Sequence, residues 1–142
     1  MNDACPDIAY ADIKKGDEAM FTETISELLA ARFTELSGDR NPLHTDAAYA
    51  ATTRFGRPVV HGMLVGALFS RLIGMHLPGR NSLYLSQTMR FHSPLYAGTV
   101  LTIRGIVTHT TDAARTITMA LSAKDGEGVL IADGEALVTL LH

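Results

Sequence analysis

The stretch VVHGMLVGALFSRLIGMHLPG, residues 59–79, is apolar on nearly every side, interrupted by His61, Ser70, Arg71 and His76 and stopped by Pro78 and Gly79. A helix with so little polar surface has no face to offer water, so it belongs inside the protein. Its polar interruptions also make it a poor membrane span. Its smallest residues, Gly62, Gly66, Ser70 and Gly74, recur at every fourth position and form one nearly continuous stripe. Something must approach that stripe closely, either another backbone or a ligand.

The segments around it say what wraps it. Beyond residue 79 the period changes: NSLYLSQTMRF (81–91), TVLTIRGIVTHTT (99–111), ARTITMALSAKDG (114–126) and GVLIADGEALVTLL (128–141) are rich in Val, Ile, Leu and Thr, largely alternate, and are separated by turn residues. That pattern predicts four long antiparallel strands. Upstream, AMFTETI (19–25) alternates as a half-buried strand does, and Ser26 reads as the N-cap of a helix carrying Leu28, Leu29, Phe33 and Leu36, with Gly38 as its stop. Thr45 is expected to cap a shorter helix over DAAYAATTRFG (46–56), so that residues 37–44 form a tight loop between two helices. Residues 1–15 are expected to be a partly ordered leader. A strand, helices and four more strands make an α+β domain in which a curved antiparallel sheet wraps one buried helix. Such a sheet has edges, and pairing with a second copy is one way to cover them.

At 142 residues, 46% hydrophobic and 19% charged, the chain suits a single domain with a sizeable core. The net charge of -3 argues against a nucleic-acid partner, which needs a clustered excess of Lys and Arg. No basic, apolar and small-residue succession opens the chain, so a secretory signal is not expected. One cysteine, Cys5, leaves neither an intramolecular disulfide nor a thiolate metal site. A reducing cytoplasm is the expected compartment, with no membrane partner.

The loop SGDRNPLH (37–44) holds the residues best suited to chemistry. Asp39 and His44 are a carboxylate and an imidazole on one short loop, enough to activate a water near neutral pH. Asn41 can hydrogen-bond the imidazole or a ligand, and Pro42 stiffens the turn. The competing reading is a helix-capping Asp, a turn Asn-Pro and a surface His. His61 and Gly62 open the buried helix, where unpaired N–H groups and the helix dipole favour a developing oxyanion. An ordinary entry turn after Pro58 is the alternative. Ser70 lies two helical turns beyond Gly62 and needs a partner for its hydroxyl, either Asp39 or a back-bond to its own helix. No histidines have metal-ligand spacing, so no metal site is expected, and the common nucleotide-binding and serine-hydrolase loops are missing.

Taken together, LSGDRNPLHTDAAYAATTRFGRPVVHGML, LPGRNSLYLSQTMRFHSPLYAG and ADGEALVTLL resemble the MaoC-like hot-dog family, in particular its (R)-specific enoyl-CoA hydratases. The most specific feature is a D-x-N-P-x-H loop followed by V-H-G-M. The resemblance implies one MaoC-like hot-dog domain over 1–142, the sheet wrapped around the central helix under an overhanging catalytic loop and helix, and a homodimer. It implies reversible hydration of a trans-2-enoyl-CoA to the (R)-3-hydroxyacyl-CoA. Asp39 and His44 would activate the water, Asn41 would orient the site, the Gly62 N–H would bind the thioester oxygen, and Ser70 would support from behind. No metal or redox cofactor is implied, coenzyme A being part of the substrate. Its phosphates would meet Arg54, Arg57, Arg80 or Arg90. Alternatives on the same fold are a dehydratase of carrier-bound 3-hydroxyacyl chains, an acyl-CoA thioesterase and a non-catalytic acyl-CoA-binding module. Two departures from the family, Thr99 after Gly98 and His92 in a strand, lie outside the catalytic loop.

Overall fold

In the computed structural model, which describes residues 4–142, one antiparallel sheet curls around one helix. Strand β1 (Glu18–Thr24) leads into α1 (Glu27–Ser37), the single turn α2 (Pro42–Thr45), the short α3 (Ala47–Ala51) and the central helix α4 (Gly62–Met75). Strands β2 (Ser82–Gln87), β3 (Arg90–Phe91), β4 (Val100–Thr111), β5 (Thr116–Lys124) and β6 (Leu130–Leu140) follow. The sheet order is β1-β4-β5-β6-β2, with β3 also paired to β6. The first long strand read from sequence is thus two strands, both paired with β6 and separated at Thr88–Met89.

Alternation does what the pleat requires. Leu101, Ile103 and Val107 of β4, Ile117, Met119 and Leu121 of β5, and Ala136, Val138 and Leu140 of β6 are all buried. Against them α4 buries Leu64, Val65, Leu68, Phe69, Leu72 and Ile73, a helically spaced face. Full burial of each large side chain contributes about 1.5–3 kcal/mol. Helix and sheet pack tightly at Gly105, where a Cβ would lie 2.6 Å from Leu72 Cδ2 of α4 and 2.7 Å from Leu121 Cδ2 of β5. A side chain there would have to push two buried leucines aside.

Two expectations are corrected. The central helix is not buried all round: Met63, Ala67, Ser70, Arg71 and Met75 are exposed, because the sheet of one chain wraps only one side of it. Residues 1–15 are not a loose leader over the part described; residues 1–3 lie outside it. Asp7 bridges Gly79, Cys5 Sγ donates to the Gly74 carbonyl at 2.9 Å, and Ile13 joins the core. No helix among the described residues is long and apolar enough to cross a membrane.

Asn81 ties this segment to His142, at the trailing end of β6. It is 1% exposed; its amide donates to the carbonyls of Ile8 (3.0 Å) and His142 (2.6 Å), and its Oδ1 accepts from the His142 N–H (2.9 Å). Asn81→Ala removes these three bonds, although the His142 carbonyl keeps the Tyr10 N–H at 3.2 Å, and is expected to destabilise the fold by about 1–3 kcal/mol, read as a lower urea midpoint.

Candidate active site

The site is assembled by a relay of polar turns. Ser26 caps α1 through the Leu29 N–H (3.0 Å), and Gly38, at φ 71°, ends it in a conformation that glycine adopts at least cost. Ser37 Oγ then accepts from the Asp39 N–H (3.1 Å), Asp39 Oδ1 from the Asn41 N–H (3.2 Å), and Asn41 Oδ1 from the Leu43 N–H (2.9 Å). Pro42 occupies the first turn of α2, where its missing N–H costs nothing. The cap of α3 is Asp46, through the Tyr49 N–H, rather than Thr45, which ends α2 and bonds back to the Arg40 and Asn41 carbonyls. Each short side chain fixes the next step of backbone.

This loop presents His44 with a defined tautomer. Its Nδ1 lies 2.6 Å from the Val59 carbonyl, and Val59 in turn donates its N–H to Leu43 at 3.1 Å. A carbonyl only accepts, so the ring carries its proton on Nδ1 and turns the Nε2 lone pair toward Asp39. The gap from His44 Nε2 to Asp39 Oδ2 is 3.7 Å, too long for a direct hydrogen bond. Asp39 is half exposed at 50%, and His44 is 17% exposed. The carboxylate therefore has two tasks: Oδ1 holds the turn, and Oδ2 faces the imidazole.

Gly62, the first residue of α4, stands beside the pair, with no side chain capping this helix end. Residues 59–60 that lead into it run between the loop and the segment after β3, Val60 donating to the Leu95 carbonyl at 2.7 Å. Asp39, His44 and Gly62 line one cavity of about 590 Å³, walled also by Phe33, Phe55, Leu95 and Ile131. Phe91 leans over the glycine, where an added Cβ would lie 2.7 Å from its ring. Behind the histidines a second cavity of about 510 Å³ runs along α1 to Arg57 and Tyr96.

Of the residues singled out from sequence, Asp39, His44 and Gly62 come together. Asn41 and Ser70 do not line either cavity. Asn41 is exposed and spends its carbonyl on capping α2; Ser70 faces outward from α4, while Asp39 meets histidines instead. Among the arginines, Arg54 lines the first cavity and Arg57 the second, whereas Arg80 faces Asp7 at 3.8 Å. His92 also lines the first cavity, held by Asp133 at 2.8 Å.

The residue that sequence reasoning missed as a side chain is His61. It is 3% exposed, stacks on His44 with ring centroids 3.9 Å apart, and its Nε2 lies 2.8 Å from the Asp39 carbonyl. Its position between Val60 and Gly62 was the available signal. Asp39, His44 and His61 bring one donor atom each within 4.8 Å of one another, close enough by distance to hold a cation. Their chemistry suits a cation poorly: the Nε2 of His61 is committed to a carbonyl, and stacked rings hold their in-plane lone pairs side by side rather than converging.

Comparison with known proteins places the whole fold in a family. Residues 11–127 match the family model of the MaoC like domain. The chain is 40% identical over 128 residues to an (R)-specific enoyl-CoA hydratase of Aeromonas caviae, covering 90% of this chain and 96% of that one. It is 33% identical over 129 residues to a 3-hydroxybutyryl-CoA dehydratase of Methylorubrum extorquens, covering 91% and 82%. The solved structure of an R-hydratase of Pseudomonas aeruginosa superposes with a TM-score of 0.90 at 39% identity, covering 96% of this chain and 88% of that one.

Proposed function

Because this chain belongs to the MaoC-like family, we propose that it is an (R)-specific enoyl-CoA hydratase, adding water reversibly across the double bond of a trans-2-enoyl-CoA to give the (R)-3-hydroxyacyl-CoA. The observation that carries the reading is the pair of acceptors, Asp39 Oδ2 and His44 Nε2, facing each other across 3.7 Å beside the uncapped end of α4. Two acceptors so spaced are bridged by one water, which donates one O–H to each.

The reaction follows from that water. One of the pair takes a proton as the water oxygen bonds to C3, and the π electrons of the double bond move onto the thioester oxygen. The Gly62 N–H, at the positive end of the helix dipole, stabilises the enolate where the charge develops. The proton held by the pair then passes to C2, so one face of the alkene receives both groups. No electron is transferred, and coenzyme A enters only as part of the substrate. Arg54, on the cavity wall, supplies a cation for its phosphates.

The protein works as a homodimer in the cytoplasm on this reading. Support for pairing comes from the outer edges of β1 and β2, which pair with no further strand among the described residues, and from the exposed face of α4, with Met63 at 59% and Met75 at 41% exposure.

The test is loss of enoyl-CoA conjugated absorbance with chiral analysis of the product. The (R)-3-hydroxyacyl-CoA without free thiol is the expected outcome. Free thiol appearing at a comparable rate makes the protein a thioesterase, and marked preference for acyl-carrier-bound chains makes it a carrier-dependent dehydratase. Binding without turnover makes it a non-catalytic module.

A further inference from the structure

His61 has no part in the proton transfers, yet its burial is hard to explain by packing alone. At 3% exposure it donates from Nε2 to the Asp39 carbonyl at 2.8 Å, and its Nδ1 is buried without a partner among the described residues. Since a carbonyl only accepts, the neutral ring carries its proton on Nε2, leaving the Nδ1 lone pair unpaired. Buried polar atoms are normally satisfied, and one that is not costs stability. A phenyl ring would fill the same space beside Phe33, 5.1 Å away, without that cost.

The ring's other contacts indicate what it gains. It stacks on His44 at 27° between planes, so His44 is held at one edge by the Val59 carbonyl and across one face by His61. Nε2 also lies 3.9 Å from Asp39 Oδ2. Its backbone, meanwhile, leads directly into Gly62 at the start of α4. One side chain therefore joins two parts of the site that come from distant stretches of chain: the loop bearing the acid/base pair and the helix end bearing the oxyanion donor.

Resting on the hydratase reading above, we propose that His61 is a positioning residue that sets the distance between the Asp39–His44 pair and the Gly62 N–H. The reaction needs that distance held, because C3 must face the pair while the thioester oxygen, two carbons along, reaches Gly62. A misplacement of about 1 Å in such an arrangement costs on the order of 10²-fold in rate.

Two substitutions separate the donor from the stack. His61→Phe keeps an aromatic ring against His44 and Phe33 but has no N–H; His61→Gln places an amide N–H the same number of bonds from Cβ as Nε2. His61→Phe is expected to lower kcat on the order of 10–10²-fold with KM changed less than about twofold, and His61→Gln to recover most of the loss. Unchanged turnover in His61→Phe overturns the proposal. So does a fall in kcat matched by a rise in KM and lower thermal stability, the pattern of a residue that only packs. A long-range ¹⁵N–¹H correlation spectrum of the wild-type imidazoles gives a reading independent of activity: the ring proton of His61 belongs on Nε2, and finding it on Nδ1 removes the bond and the proposal with it. A wild-type protein inactive on enoyl-CoA esters whose His61 still carries its proton on Nε2 would instead sink the hydratase reading, and with it the catalytic purpose assigned here.

Discussion

Asp39→Asn and His44→Asn each lower kcat for enoyl-CoA hydration at least about 10²-fold, the range expected on removal of a general acid/base. Asparagine is the informative replacement at both positions. At 39 it keeps an oxygen for the Asn41 N–H, so the turn survives, but it can place an amide donor where Oδ2 accepted. At 44 its amide N–H can take the place of Nδ1 against the Val59 carbonyl, while nothing replaces Nε2. His44→Ala should be as slow as His44→Asn but less stable, because it leaves that carbonyl without a donor, at a cost of about 1–3 kcal/mol. The double Asn variant should lose little beyond either single one, since two groups that share one water act as a unit. Steady-state rates from the conjugated absorbance, with thermal denaturation of each variant, check all of this. Near-normal turnover in both single variants ends the mechanism. A double variant whose loss is the product of the single losses ends the shared water.

The division between what could be read from sequence and what could not follows the range of the interactions. Period and punctuation act locally, so β1, α1 with its Ser26 cap and Gly38 stop, and the strand-rich final third were all legible. The loop from Asp39 to His44 was legible as a site because its residue types and spacing carry both chemistry and family resemblance. Thr and Asp both serve as helix caps, so the sequence alone points to Thr45 as readily as to Asp46, and only the backbone bond closing α2 chooses Asp46. Asn41 and Ser70 failed for different reasons. An Asn before Pro can cap a turn or reach a ligand with the same atom, and here the Leu43 N–H claims it. Ser70 depended on which way α4 rolls beneath the sheet, which is decided by packing at places such as Gly105 against Leu72. His61 was visible in sequence only as the residue before Gly62; its contacts with Asp39 and His44 span 22 and 17 positions of chain and required the fold.

Gly62→Pro should slow hydration by about 10²–10³-fold relative to Gly62→Ala, the loss typical of removing one oxyanion donor. Proline deletes the N–H assigned to the enolate, and this position tolerates it on backbone grounds. Gly62 is the first residue of α4, where proline is favoured because its N–H has no partner within the helix. His61 before it sits at φ −53° and ψ 125°, outside the α region that a following proline disfavours. Either substitution adds a Cβ that meets the Phe91 ring, at 2.7 Å in the present geometry, but that ring is 52% exposed and has room to turn outward. Alanine thus carries the crowding that both variants share and keeps the donor, so their ratio isolates what proline changes at the nitrogen. The loss should fall on kcat more than on KM, because the oxygen gains its charge only as the water adds. Equal turnover in the two variants would move the oxyanion away from this amide, with the Met63 N–H, also in the first turn of the uncapped helix, as the next donor to remove.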